Sequence, residues 1–524
     1  MALDTVKESF RVIDSVNEES IQTVVENDVI VPDVKPDIMR ILLLDGEISI
    51  TGTDISNDRI SISGTIKYKI LYISDDENSS IKSINTNAPF NSDLSISSAR
   101  AGMIPLVKGE IEHIEYTLLN GRKANLKSIV KIDVKLINEA DKEVICDLKG
   151  YDDIQVLKEN VNVNNFIGYN NAEILVEDSL EVPSGKPAIK EILRNDVKIV
   201  NKDHKVSENK IYVKGELNIS TLYIADDEQG SFQSMEHEIP FSKQIDIEGA
   251  GENSSCVVDY NVIDYRFEAG EDSDGELRYL NGEVSLTVSG RCYERKNMSV
   301  ISDAYTPQTI IEFDKEDLEV EDSIMENKSQ IILKDTITIG EENPDISEVF
   351  NVMCSPYLSE FRILDDKVVV EGYIKVNMLY VSNNTEDPVS CFQQEIPFRQ
   401  NLDIKGMKPD MKCNLDMDIE HYNYSVVSVS EVEIRMAIGL NITGLNKQTI
   451  PFMVDVTEKD IPENKSSRRP SMTIYYTQQG DNLWKIAKRY LTTIDEIKKF
   501  NNIGDKDTIL PGQQIFIPQM IVCK

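Results

Sequence analysis

One phrase returns three times along this 524-residue chain: ILYISDD from residue 70, TLYIADD from 221 and MLYVSNN from 378. The surrounding residues return with it. Gly64, Gly215 and Gly372 each stand eight residues before Tyr72, Tyr223 and Tyr380. Pro-Phe pairs follow at 89–90, 240–241 and 397–398, each proline 17 residues after its tyrosine. Pro36, Pro187 and Pro344 stand 28 residues before the glycines, and Lys7-Glu8, Lys158-Glu159 and Lys315-Glu316 stand 29 before those prolines. His113, Asp264 and His421 close the frame, 24 residues after the second prolines. The offsets are 151 and 157, and the six extra residues fit the acidic stretch EAGEDSDGE at 268–276. A gapless frame repeated three times requires three domains of one fold. The expected boundaries are 1–152, 153–310 and 311–461, then a polar linker over 462–471 and a separate module over 472–524.

Each repeat reads as β structure. Ile60, Ile62, Ile66, Tyr68, Ile70 and Tyr72 alternate around Gly64, as do Ile211, Val213, Leu217, Ile219 and Tyr223, and Val368, Val370, Ile374, Val376, Met378 and Tyr380. Period-two alternation buries one face of a strand and wets the other. A glycine in mid-strand marks a bulge or a close approach of other atoms. Second alternating runs begin at Ile129, Val284 and Val432. The expected fold class is mainly β: three homologous β-sandwich-like domains of antiparallel strands. Short helices are expected just after Pro36, Pro187 and Pro344. There Ile38 and Ile41, Ile189 and Ile192, and Ile346 and Val349 share a spacing of three, and proline suits a first helical position.

Net charge is −36, which argues against nucleic acid as a partner. The charge is uneven. Residues 465–524 hold ten basic and five acidic side chains, a balance of +5, so residues 1–464 carry −41. The first twenty residues contain no apolar stretch of secretory type, and nowhere do 18 apolar residues run together, so neither export nor a transmembrane helix is expected. The seven cysteines (146, 256, 292, 354, 391, 413 and 523) lack CxxC spacing and are read as reduced thiols.

No catalytic or metal constellation emerges. The four histidines, 113, 204, 237 and 421, have no ligand spacing, and Asp264 replaces histidine in the second repeat. Asp75-Asp76-Glu77 and Asp226-Asp227-Glu228 become Asn383-Asn384-Thr385 in the third repeat, which suits turns better than cation sites. Glu271 to Glu276 resembles a calcium loop only faintly and reads as a solvated loop. No enzymatic activity, cofactor or metal is expected.

The C-terminal segment reads strand, Gly-Asp turn, helix, helix, turn, strand. Asn482 can cap the first helix, whose face is Leu483, Ile486, Ala487 and Tyr490. Thr493 and Glu496 form a capping box for the second. Gly480-Asp481, Leu483-Trp484, Ile486-Ala487, Tyr490, Ile497, Asn501, Ile503, Leu510-Pro511-Gly512-Gln513 and Ile517-Pro518 together resemble the LysM family, small βααβ domains that bind glycan or protein. The resemblance implies a partner-binding site among Asp481, Asn482, Trp484, Lys485, Ile486, Lys488, Asn501, Ile503 and Gln513. Trp484, the sole tryptophan, suits packing or a contact hot spot. Asn482 replaces the usual Thr or Ser in the loop that lines the sugar groove of glycan-binding members.

The triple G-x7-Y-x16-P-F frame, the VPDVKPDI start at 31–38 and the LysM tail together resemble the clostridial SPOCS-domain spore morphogenetic proteins. That resemblance implies a scaffold in endospore coat assembly, in the mother-cell cytosol at the forespore surface. It further implies a LysM domain bound to stage IV sporulation protein A, the coat ATPase, with the repeats free to recruit other coat proteins. An alternative expectation is a LysM bound to peptidoglycan or N-acetylglucosamine oligomers.

Overall fold

A computed structural model of the chain describes residues 3–76, 80–97, 99–228, 230–382, 389–460, 471–504 and 509–518. The expected linker (apart from Ser471), Cys523 and the Asn383-Asn384-Thr385 turn lie outside the described residues.

The first repeat contains β1 (Asp4–Ile30), β2 (Ile38–Ser56), β3 (Arg59–Ser74), β4 (Ile81–Ser95), β5 (Ile104–Asn120) and β6 (Lys123–Lys149). These make two antiparallel three-stranded sheets, ordered β2-β3-β4 and β1-β6-β5. The second repeat has the same plan in β7 (Gln155–Glu181), β8 (Ile189–Ser207), β9 (Lys210–Ala225), β10 (Phe232–Asp246), β11 (Ser255–Glu271) and β12 (Leu277–Tyr305). The third has it in β13 (Ile310–Thr338), β14 (Ile346–Leu364), β15 (Lys367–Ser382), β16 (Val389–Asp403), β17 (Lys412–Ser428) and β18 (Glu431–Lys459). In each repeat the two central strands face one another. Ile62, Ile66, Tyr68 and Tyr72 of β3 share a core with Leu126, Val130, Ile132 and Val134 of β6. Each such side chain contributes about 1.5–3 kcal/mol by leaving water.

The repeated residues have structural work to do. Gly64 lies directly opposite Phe90, Gly215 opposite Phe241 and Gly372 opposite Phe398. The phenyl ring covers the glycine: a Cβ at Gly215 would lie 2.8 Å from Phe241 Cζ, and one at Gly372 2.9 Å from Phe398 Cζ. The neighbouring strand bulges at the same level, between Ile50 and Gly52, Val200 and Asp203, and Leu358 and Glu360.

No helix follows Pro36, Pro187 or Pro344. Ile38, Ile189 and Ile346 instead open strands β2, β8 and β14. Bulges between Ile38 and Arg40 and between Ile41 and Leu43 insert two extra residues. Each insertion stretches the inward spacing from two residues to three, so Ile38 and Ile41 are both buried on an extended strand. The other repeats carry the same pair of bulges. A double-bulged strand thus imitates the first turn of a helix.

The three repeats pack around a shared centre. Leu71, Leu222 and Leu379, at equivalent positions of β3, β9 and β15, meet in one apolar cluster. Phe10, Val161 and Leu318 meet in another with Val12, Val163 and Val320. Ion pairs link neighbours in cyclic order. Lys296 of the second repeat bonds Glu8 of the first at 2.8 Å, and Lys142 of the first bonds Glu316 of the third at 2.6 Å. The first and third repeats also meet where Leu3 N donates to Glu458 at 2.6 Å and Phe10 lies 5.6 Å from Phe452, and the ring closes between the second and third, where Lys202 bonds Asp418 at 3.0 Å and Phe232 stacks on Phe350 at 5.1 Å.

The interface of the first two repeats is charged inside. Arg194 donates to Asp45 at 2.6 Å and to Asp196 at 2.7 Å, Lys69 to Asp196 at 2.7 Å, and the Tyr265 hydroxyl to Glu47 at 2.6 Å. Arg194 and Lys69 are each only 4% exposed. Burial alone would raise the Asp196 carboxyl, but Arg194 and Lys69 outweigh it and hold it well below the usual range.

The cysteines correct one expectation. Cys256 and Cys292 stand opposite each other on β11 and β12, buried in the second core, and are joined as a disulfide. Cys146, Cys354, Cys391 and Cys413 are free. Sequence spacing missed the pair because antiparallel register, not proximity along the chain, brings these sulfurs together.

Candidate partner-binding site of the C-terminal module

The module consists of β19 (Met472–Tyr476), α1 (Leu483–Tyr490), α2 (Ile494–Asn501) and β20 (Gln514–Pro518), with β19 antiparallel to β20. Asn482 caps α1 by accepting from Lys485 N at 2.8 Å, and Thr493 caps α2 by accepting from Glu496 N. Leu483, Ile486, Ala487, Ile497, Ile515 and Ile517 form the core. Both helices end in left-handed residues, Leu491 and Asn502.

Most of the nine residues expected to bind a partner are engaged within the chain. Asp481 accepts from the Tyr475 hydroxyl at 2.6 Å and from Gln478 N at 2.8 Å, and these bonds lower its pKa. Asn501 accepts from Phe516 N at 2.7 Å and donates to the carbonyls of Ile497 and Phe516, tying α2 to β20. Gln513 accepts from Leu510 N at 3.0 Å within the closing turn. Lys485 donates to Gly480 O at 3.0 Å but is otherwise exposed. Ile486 is 2% exposed and faces inward, so it supports the site without lining it. Ile503 is half-buried against the core.

Trp484 and Lys488 stand apart, because both touch the second repeat. The Trp484 Nε1 donates to Asp303 Oδ2 at 2.8 Å, and Lys488 Nζ bonds Asp303 Oδ1 at 2.5 Å. Tyr305 meets the indole edge-to-face at 5.1 Å.

A second apolar surface was legible but went unread. Along β19, Met472, Ile474 and Tyr476 point outward, and Phe516 stands opposite Ile474 on β20. Period two in MTIYY is its signal, obscured because every position except Thr473 is apolar or aromatic.

Among the described residues, no group of three or more His, Cys, Asp or Glu side chains is placed to hold a metal ion. The acidic insert turns a hairpin: Asp272 accepts from Asp274 N at 2.9 Å and Glu276 N at 3.0 Å. Asp227 likewise accepts from Ser231 N at 3.0 Å. No helix of the described residues is long and apolar enough to cross a membrane.

Comparison with known proteins places both parts. The family described as SipL, SPOCS domain, matches residues 37–119, 188–269 and 345–427, and the LysM domain family matches 475–518. SpoIVD-associated factor A of Bacillus subtilis (strain 168) is 44% identical over 48 residues, 9% of this chain and 12% of that protein. Spore coat assembly protein ExsA of Bacillus cereus is 44% identical over 52 residues, 10% of this chain and 8% of that protein. The chain therefore spans about a tenth of these relatives' length. No solved structure matches it. The three frames, their shared two-sheet fold and the βααβ tail make this chain a SipL-like member of the SPOCS-domain family, with three SPOCS domains followed by one LysM domain.

Proposed function

We propose that this protein is a non-enzymatic scaffold of endospore coat assembly. Its LysM domain docks onto the stage IV sporulation protein A ATPase layer at the forespore surface, on the mother-cell side, and its SPOCS ring joins other coat proteins. The observation that carries this reading is the union of three SPOCS domains and one LysM in a single chain. The names of the two Bacillus relatives, a SpoIVD-associated factor and a spore coat assembly protein, point the same way. Charge supports a protein partner: a basic LysM beside an acidic body can meet an acidic surface without being drawn to nucleic acid.

The experiment is capture from sporulating cells with the full chain and with a chain ending at residue 460. The full chain should retain the ATPase and the shortened chain should lose it. Binding of N-acetylglucosamine oligomers without the ATPase would favour the glycan reading instead.

A further inference from the structure

Asp303 has two counterparts in the ring. At the same bulge of each long ribbon, Asp147 faces Val6, Asp303 faces Leu157 and Asp455 faces Asp314. Two residues on, the repeats diverge: Lys149 pairs with Asp4, Tyr305 with Gln155 and Thr457 with Glu312. Only the second repeat offers an aspartate followed by an aromatic ring.

LysM sits on that copy. Asp303 is held by both Trp484 and Lys488, while Asp147 is held by Lys158 of the next ribbon at 3.1 Å and Asp455 accepts from Val456 N. Tyr305 is 3% exposed and is counted in the LysM core beside Leu483 and Ile486. An indole N–H on a carboxylate, an ammonium on the same carboxylate and an edge-to-face ring make a contact specific in charge and shape.

We propose that the second repeat holds LysM in a closed state through Asp303 and Tyr305, and that this contact competes with the external partner for the Trp484 and Lys488 face. This rests on the reading that LysM docks a protein. A face occupied within the chain binds more weakly from outside, in proportion to the fraction that is open. LysM would then engage the coat layer only where partner density is high enough to displace the repeat.

Trp484 is the only tryptophan, so its emission in the full chain reports this contact directly. Asp303→Lys sets two ammonium groups together, and Asp303→Asn removes the charge while keeping the shape. Asp455→Lys is the control at the counterpart in the third repeat. Both Asp303 variants should red-shift the emission and increase quenching by acrylamide, more strongly in Asp303→Lys, and Asp455→Lys should do neither. Affinity for purified stage IV sporulation protein A should tighten about tenfold in Asp303→Lys. Unchanged emission in both Asp303 variants overturns the closed state. Shifted emission with wild-type and variant binding the ATPase equally overturns the competition. If neither chain binds the ATPase, the docking reading fails, and the competition fails with it even where the emission shift shows the contact itself.

Discussion

The hydroxyl of Tyr72 donates to the carbonyl of Pro36 at 3.0 Å, across the mouth of the first sandwich. Tyr223 bonds Pro187 at 3.0 Å and Tyr380 bonds Pro344 at 3.1 Å, always 36 residues back. The constant Pro-to-Tyr distance in the sequence is therefore the length of one strand-turn-strand unit closed by one hydrogen bond. Burial, more than nearby Glu191, pushes the Tyr72 phenol up to about 12, so it remains a donor throughout the physiological range. Tyr72→Phe removes the partner of a partly buried carbonyl and should cost about 0.5–1.5 kcal/mol. Urea denaturation monitors this. A variant within a few tenths of a kcal/mol of wild type would show that the bond does not set the frame.

Gly215 and Phe241 should behave as one unit. Gly215→Ala drives a methyl into the phenyl ring and should destabilise by about 1–3 kcal/mol. Trimming the ring in Phe241→Leu should return part of that loss in the double variant. A thermodynamic cycle over the two sites gives the coupling. Purely additive losses would mean that the ring is not what excludes the methyl.

The charged interface makes stability depend on pH. Asp196 has a lower pKa in the fold than in the open chain, so the native state resists its protonation. Its contribution is complete above the ordinary aspartate range, near pH 4, and is lost as pH falls below that. Lys69→Met leaves part of the aspartate charge unmatched and should cost about 3–5 kcal/mol at neutral pH. That loss should shrink on acidification toward pH 3. Equal losses at pH 7 and pH 3 would assign them to packing.

Much of this fold was legible in the sequence, for local reasons. Alternation around Gly64 records a strand with one buried face, and the Pro-Phe pair records the ring that covers the glycine. The β2 start was misread because its two bulges place Ile38 and Ile41 three apart, as a helix would. The ring was out of reach for a different reason. Leu71, Leu222 and Leu379 meet only in space, each on a strand face that would be solvated in a lone sandwich. The site divides the same way. Asn482 and Asn501 are fixed by residues within twenty positions and could be placed, whereas the Trp484 contact depends on Asp303, 181 residues away.

Cysteine chemistry tests the disulfide of the second core. In the chain as folded here, Cys256 and Cys292 should resist alkylation after denaturation without reductant, while Cys146, Cys354, Cys391 and Cys413 react. Mass spectrometry of the alkylated protein counts the labels. Labelling of Cys256 and Cys292 in the absence of reductant would contradict the disulfide.

The most direct measurement is capture of stage IV sporulation protein A from sporulating cells by the full chain, by the chain ending at 460 and by Trp484→Ala. The full chain should retain the ATPase, the shortened chain should lose it, and Trp484→Ala should retain at most about a tenth, as expected of an aromatic contact at an interface centre. Equal retention by all three would contradict docking through LysM.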